Sequence, residues 1–295
     1  MKQWRDQLKP APDAETTAWR RLHSREGVWV DDFDGRWLVQ TQGSSFPDEL
    51  RDAVTGGEAR SLYWKPRDKD AKTAPEWIAG EKVTEPFLVT ENGVRFWIDF
   101  EAGYSQGIFL DQRENRRRVL ERVGEGDRVL NTFAYTCAFS AAAAVGGAVT
   151  SSLDLSRPYL DWGKRNLEAN GIDPAGHYFC KGDVFEWLGT FHRQGRTFQG
   201  VILDPPTFSR NGKGKVFKAD RDYADLVALA CGVVESGGWV LCTGNTHRLD
   251  NRSFEKAVRE GVRQGRRKVE RVEVFPMPEE FNGDDYLKTV WVTVG

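Results

Sequence analysis

Three aspartates close hydrophobic, β-prone runs in the second half of the chain: Asp154 in SSLD, Asp183 in FCKGD and Asp204 in VILD. In an alternating β/α series, an acid at the end of the second strand can accept hydrogen bonds from both ribose hydroxyls of a nucleoside. Asp154 follows the first run-end, Asn131, by roughly twenty residues, the spacing such an acid usually has. Asp183, one strand further on, is placed to accept from an adenine amine. Each acid could instead be a helix N-cap, a position Asp favours after a strand. Three in register favour the ligand reading. Asp204-Pro205-Pro206 is the sharpest element. Two prolines fix the backbone and remove two N–H donors, so the carboxylate and the following carbonyls form a rigid acceptor array. Such an array suits the amino and imino groups of a base held edge-on, and Phe208, just beyond Thr207, could stack on that base. A plain strand-ending turn needs only one proline.

No GxGxxG follows the first strand and no GxxxxGK[ST] occurs anywhere, which argues against a pyrophosphate-bearing cofactor. A nucleoside cofactor without pyrophosphate remains, and S-adenosylmethionine fits best. The four cysteines, Cys137, Cys180, Cys231 and Cys242, form no CxxC pair, and the four histidines are scattered. That predicts reduced thiols in a cytoplasmic protein, with neither a disulfide framework nor a metal site.

The elements that must position these residues follow two rhythms. Residues 1–20 read as a polar lead-in with Pro10 and Pro12. GVWVDDFDGRWLVQTQ then reads as a hairpin turning at Asp34-Gly35, PDELRDAV as a short helix, ARSLYWKPR as a strand, the stretch 68–73 as a loop, and EPFLVTENGVRFWIDF as a second hairpin turning at Glu91-Asn92-Gly93. Residues 21–105 thus form a small β-rich α+β cap. From 106 to 295, strand-like runs alternate with helical ones, which predicts βαβ crossovers and a doubly wound, Rossmann-like α/β sheet. KVERVEVF and YLKTVWVTV have no helix between them, so an antiparallel edge hairpin ends the chain. Hydrophobic residues at 39% and aromatics at 12% supply ample core. No apolar run approaches the ~20 residues of a membrane span, and the amino terminus lacks a secretory h-region.

With these residues in place, the chain resembles a family. GIFLDQRENRR (107–117), LNTFAYT (130–136), SLDLSRPYLDWGKRNLEANG (152–171), GDVFEWL (182–188), LDPPTFSRN (203–211) and DYLKTVWV (285–292) are similar to bacterial class I S-adenosylmethionine-dependent methyltransferases of 23S ribosomal RNA. Two branches are relevant: the cytosine-C5 enzymes, which share the cap pattern and the YLK ending, and the guanine-N7 methyltransferase domain, with the closer DPPTFS and DLSRPYL-like segments. The resemblance implies a seven-stranded methyltransferase sheet. It also implies that Asp111, Gln112 and Arg113 line the cofactor pocket from the linker, with Asn131, Phe133, Tyr135 and Thr136 as its first loop. Asp154, with Leu155 and Ser156, would take the ribose, and Asp183 with Val184 the adenine. Asp204 and Pro205 would face the transferred methyl group, flanked by Pro206 and Phe208.

Three departures stand out. Cys137 and Ala138 replace the small Gly/Ser residues usual after the Tyr-Thr of the first loop. Only about 20 residues precede the cap, too few for the amino-terminal PUA RNA-binding domain of the cytosine-C5 branch. That branch also needs a thiolate to add at C6, because cytosine C5 is not nucleophilic. Its S-C-S-like segment reads GGWVLCTGNTHRLD here, with Asn245 at the aligned position and Cys242 three residues earlier, read as a buried strand thiol. A guanine ring nitrogen has its own lone pair and needs only positioning. The expected acceptor is therefore a ring or exocyclic nitrogen of an RNA base.

The near balance of 42 basic and 44 acidic residues excludes a uniformly basic protein. Basic residues nevertheless cluster at Arg113, Arg116, Arg117 and Arg118; at Arg210, Lys213, Lys215, Lys218 and Arg221 after DPPTF; and at Arg263, Arg266, Arg267 and Lys268. The second cluster is the one predicted to grip RNA phosphates, the third reads as solvated surface, and Trp29, Trp37 and Trp64 read as cap core. The expected partner is 23S rRNA or a ribosome assembly intermediate. The alternatives are a cytosine-C5 RNA methyltransferase, a small-molecule or protein methyltransferase with the cap as a lid, and a non-catalytic RNA-binding protein of the same fold.

Overall fold

The computed structural model describes residues 4–67, 73–102, 105–210, 216–281 and 284–295. They fall into two compact units, 1–114 with 278–283, and 115–277 with 284–295.

In the first unit, β1 (Ala18–His23), β2 (Val28–Phe33), β3 (Arg36–Thr41), β4 (Ser61–Pro66) and β5 (Glu76–Gly80) form one sheet in that order. A 3₁₀ turn and a short helix, α1 (Asp52–Thr55), bridge the parallel pair β3–β4. β6 (Phe87–Glu91) and β7 (Val94–Ile98) pair as a separate hairpin. Both expected hairpin turns are present. Asp34 and Gly35 have φ of 56° and 77°, and Asn92 and Gly93 have 51° and 76°, the two successive left-handed residues of a type I′ turn. Two strands escape the sequence reading. β1 begins inside the lead-in, because Arg20 and Arg21 break its apolar alternation; Asp31 and Asp32 on β2 pair with them. β5 is a short, largely exposed edge with no alternation to betray it. The loop expected at 68–73 lies, apart from Thr73, outside the described residues.

Trp37 is fully buried and donates to Asp32 at 2.9 Å, while Trp64 packs against the same core. Trp29 is half-buried, donates toward His23 and carries Arg67 on its ring face. These tryptophans are cap structure, as their spacing on amphipathic strands implies.

In the second unit, α2 (Arg113–Arg122) leads from the first unit into β8 (Arg128–Thr132), α3 (Ala138–Val145), β9 (Val149–Asp154), α4 (Arg157–Ala169), β10 (Tyr178–Lys181), α5 (Val184–Arg193) and β11 (Phe198–Leu203). A hairpin of β12 (Phe208–Arg210) and β13 (Val216–Lys218) precedes α6 (Ala219–Cys231), β14 (Val234–Asn245), α7 (Asn251–Gln264), β15 (Val269–Phe275) and β16 (Leu287–Val294). The sheet order is β10-β9-β8-β11-β14-β16-β15, with only β16 reversed. This is the doubly wound seven-stranded sheet with an antiparallel edge hairpin. The segment after Asp204-Pro205-Pro206 contributes the antiparallel β12–β13 pair.

Strand alternation divides the core. Leu130, Leu153, Val201, Leu203, Val240, Cys242, Val290 and Val292 pack with Leu188, Phe191, Tyr223, Leu226, Phe254 and Val258 of α5, α6 and α7. The intervening residues Val129, Ile202, Trp239, Leu241 and Trp291 pack with Val119 of α2 and Phe139 and Ala143 of α3. Fully buried runs on both faces are what parallel strands covered by helices require. No helix among the described residues is long and apolar enough to cross a membrane.

Candidate active site at the carboxyl ends of β8, β9, β11 and β14

Strand order reverses between β8 and β11, and ligands of open α/β sheets bind beyond the strand ends at such a switch point. One side of this end is the loop after β8. Phe133, Tyr135 and Cys137 all have left-handed φ, at 54°, 49° and 58°. Each such non-glycine residue costs on the order of 1–3 kcal/mol unless its surroundings hold it. The Tyr135 amide donates to Asp154 Oδ2 at 2.8 Å and its ring meets Tyr159 edge-on. Cys137 is buried against Gly163 of α4, where a Cβ would lie 2.4 Å from its sulfur. Burial pushes the Cys137 thiol up to about 12, so it is a packing group. Beneath the loop, Asn131 Nδ2 donates to Ser140, and its Oδ1 is a buried acceptor without a protein partner. Thr136 is buried too, and its carbonyl accepts from Asn166 of α4.

Asp154 is half-buried. Its second oxygen accepts from the Ser156 amide at 2.8 Å, and burial raises its pKa above the ordinary 3.8 despite these backbone bonds. Leu155 beside it is 50% exposed, an apolar face next to a carboxylate. Asp183 is the N-cap of α5, accepting from Glu186 N at 3.1 Å, and Val184 is buried behind it. The capping alternative therefore describes Asp183 Oδ1, whereas Asp154 lies before the α4 cap, Ser156. An Asp carboxylate, an apolar shelf and a loop without a glycine phosphate cradle fit a nucleoside that carries no pyrophosphate.

The other side is built on β11 and β14. Asp204 Oδ1 accepts from the Thr243 hydroxyl. Tyr223 of α6 is fully buried, and its hydroxyl lies 3.0 Å from the Leu203 carbonyl and 2.7 Å from that of Thr243, tying the two strand ends together. Pro205 is buried and Pro206 exposed. Thr207 donates to the Asn245 carbonyl at 2.6 Å, which places exposed Asn245 beside the Asp-Pro-Pro turn. Phe208 is 54% exposed on β12. Cys242 is fully buried with its pKa raised well above 9.0, chiefly by desolvation, so this thiol is structural. The sequence singles out neither Thr243 nor Tyr223, because their partners lie 20 to 39 residues away; only the strand-end position of Thr243 hints at a role.

Asp111 and Gln112 lie in a 3₁₀ turn of the first unit, and Arg113 there pairs with Glu280 at 2.7 Å. Arg116 is buried. Lys218 is exposed at the end of β13, and its backbone N–H donates to Asp222 Oδ2. Arg210 lies on β12, Arg221 pairs with Asp222, and Lys213 and Lys215 lie outside the described residues. Arg267, read as solvated, instead donates to the carbonyls of Cys231, Val234, Glu235 and Gly295. Among the described residues, no group of three or more His, Cys, Asp or Glu could hold a metal ion.

A family model of S-adenosylmethionine-dependent methyltransferases matches residues 51–290. The chain is 31% identical to a putative ribosomal RNA large subunit methyltransferase of Bacillus subtilis, over 94% of this chain and 74% of that protein. It is 35% identical to ribosomal RNA large subunit methyltransferase K of Neisseria meningitidis, over 74% of this chain and 63% of that one. Against ribosomal RNA large subunit methyltransferases I from two Aeromonas species, the match spans 50% of their length. A crystal structure of a putative methyltransferase complexed with SAH superposes with a TM-score of 0.83 at 29% identity, covering 96% of this chain and 76% of that one.

Proposed function

The chain belongs to the S-adenosylmethionine-dependent methyltransferase family, and from that premise we propose that it methylates a ring or exocyclic nitrogen of a base in 23S ribosomal RNA. It is an enzyme, and S-adenosylmethionine is its cofactor. When bound, the cofactor supplies an electrophilic methyl group on a sulfonium. In this reading Asp154 accepts the ribose hydroxyls, Leu155 and Val184 border the adenine, and Asp183 faces its amine with the oxygen not engaged in capping. The Asp204 carboxylate, oriented by Thr243, and the Pro205 carbonyl accept from the N–H edge of the target base. They hold its nitrogen lone pair in line, and Pro206 and Phe208 border the base plane. Charge complementarity and positioning carry such a transfer, with no covalent enzyme intermediate.

Asn245 is the observation that carries the choice of atom. It stands beside the Asp-Pro-Pro turn, where a nucleophilic thiolate would have to add to C6 of a pyrimidine. The nearby thiol, Cys242, is buried and held protonated. The ribosomal substrate is supported by the names of the relatives, and the basic residues Arg210, Lys213, Lys215 and Lys218 beyond the turn suit phosphates. Four free cysteines and an rRNA substrate suit the cytoplasm. The test is methyl transfer to unmodified large-subunit rRNA, with the product base located by mass spectrometry. An N-methylated base is expected. A 5-methylcytosine product would overturn the nitrogen assignment, and transfer to small molecules but not to RNA would overturn the substrate.

A further inference from the structure

The two sides of the reacting end meet at one aromatic ring. In the β12–β13 pair, Phe208 lies opposite Lys218, and Ser209 lies opposite Phe217. Successive strand residues point to opposite faces and cross-strand partners share one, so this hairpin has two faces. One carries Phe208, 54% exposed, beside exposed Lys218. The other carries Phe217, which is 4% exposed and belongs to the core shared with α5 and α6. The Phe217 ring stacks on Phe133, with centroids 6.3 Å apart and planes at 29°, and leans on Phe185 at 5.6 Å. Phe133 belongs to the loop after β8, and Phe185 follows Val184 in the first turn of α5, so both adjoin the place given to the cofactor. At the root of the hairpin the Ala219 amide donates to the Thr207 carbonyl at 3.1 Å, and the Thr207 hydroxyl donates to the Asn245 carbonyl. The face that would meet a target base is thus seated on aromatic groups of the cofactor side.

Phe133 gives that seat a consequence. Its φ of 54° is left-handed, a conformation that a non-glycine residue keeps only when its surroundings hold it. The Phe217 ring is one support, from the hairpin. A nucleoside resting on the same loop is a second. Each support favours the one conformation of Phe133 on which the other depends, so each makes the other more favourable.

We propose that Phe217 is a positioning residue that couples the cofactor to RNA: a cofactor bound against the β8 loop fixes the seat of Phe217, and through it the Phe208 face of the hairpin that follows Asp204-Pro205-Pro206. This coupling rests on the RNA reading above. It is reciprocal, since the factor by which SAH tightens RNA binding must equal the factor by which RNA tightens SAH binding.

The experiment measures binding of unmodified large-subunit rRNA with and without saturating SAH, and of SAH with and without that RNA. It compares wild type, Phe217→Leu, Phe217→Ala and, as a core change at the opposite end of β11, Phe198→Leu. In wild type SAH is expected to tighten RNA binding about tenfold, and RNA to tighten SAH binding equally. Phe217→Leu keeps an apolar side chain but loses the ring stack, and should cut the factor to about threefold; Phe217→Ala should bring it to about one. Phe198→Leu should lose stability and keep the wild-type factor. Lost stability alone raises such a factor, because either ligand then draws the chain toward its folded state, so a fall marks positioning. A wild type that binds both ligands with a factor of one overturns the coupling and leaves the RNA reading standing. So does a factor that survives in both Phe217 variants, or one that falls equally in Phe198→Leu. If Phe217→Ala misfolds, an unchanged factor in Phe217→Leu alone overturns the coupling. If wild type binds no rRNA, the RNA reading falls and the coupling with it.

Discussion

The two halves of the reacting end of the sheet are built from different materials. On the β8–β9 side the fixed groups are mostly backbone: the Tyr135 and Ser156 amides hold Asp154, and a loop of three left-handed residues is pinned by contacts with α4 and β9. On the β11–β14 side they are mostly side chains: Thr243 on Asp204, Tyr223 across two strand ends, and Thr207 on Asn245. A backbone-built pocket tolerates varied side chains, which accommodates Cys137 and Ala138 at the positions where Gly or Ser is expected. A side-chain-built pocket depends on each residue type, so substitutions there should be felt in turnover rather than in cofactor affinity.

The largest test of that contrast is Asp204→Ala. With Asp204 at the transfer centre, as proposed, removing this preorganised group should lower kcat by on the order of 10²–10³-fold. SAH affinity, measured by calorimetry, should stay close to wild type. Equal loss of SAH binding would show that the two sides are one unit. Asp154→Ala is the mirror experiment. Hydrogen bonds to a charged acceptor contribute about 1.5–3 kcal/mol, so SAH should bind roughly 10–100-fold more weakly, and saturating cofactor should restore much of the rate. A variant that binds SAH normally would remove Asp154 from the ribose.

A smaller effect separates orientation from contact. Thr243→Val keeps the volume of the side chain but deletes the hydrogen bond to Asp204. We expect about a tenfold loss in kcat with KM for the cofactor unchanged, and rescue by Thr243→Ser. Tyr223→Phe removes the single hydroxyl donor that two buried carbonyls share, at a cost of about 1–3 kcal/mol of stability, measurable by denaturant unfolding. If Thr243→Ser is as slow as Thr243→Val, the hydroxyl does not orient Asp204.

The same contrast decides what could be read in the sequence. The strand-end acids were legible because each closes a run of alternating or continuous apolar residues, and the double proline marks one end without reference to anything distant. Asp183 was legible as an acid but serves its own helix through Oδ1, a local bond that competes with the ligand reading at every such position. Tyr223 and Thr243 were hidden because their roles depend on which strands become neighbours. β1 was hidden by its arginines, whose pairing with Asp31 and Asp32 exists only once the sheet forms. The charge clusters misled in the same way. Arg113 and Arg116 are buried and Arg267 braces four carbonyls, so a run of basic residues says little until its partners are known.

The smallest expected effect is a pH dependence confined to the backbone-built side. Burial raises the pKa of Asp154 above 3.8, so the apo protein holds a proton on this carboxyl at pH values where an exposed aspartate would not. Ribose hydroxyls donating to the carboxylate favour its charged form, which lowers the pKa in the complex. Binding therefore releases a proton when the pH lies between the complex value and the raised apo value, and affinity falls as pH drops through the apo value. SAH titrations should show affinity that is flat near neutrality and declines on acidification, approaching tenfold per pH unit. In Asp154→Asn the affinity should be weaker throughout and nearly free of that slope. A wild-type slope that survives in Asp154→Asn would assign the titration to another group and leave the ribose of the cofactor without its acid.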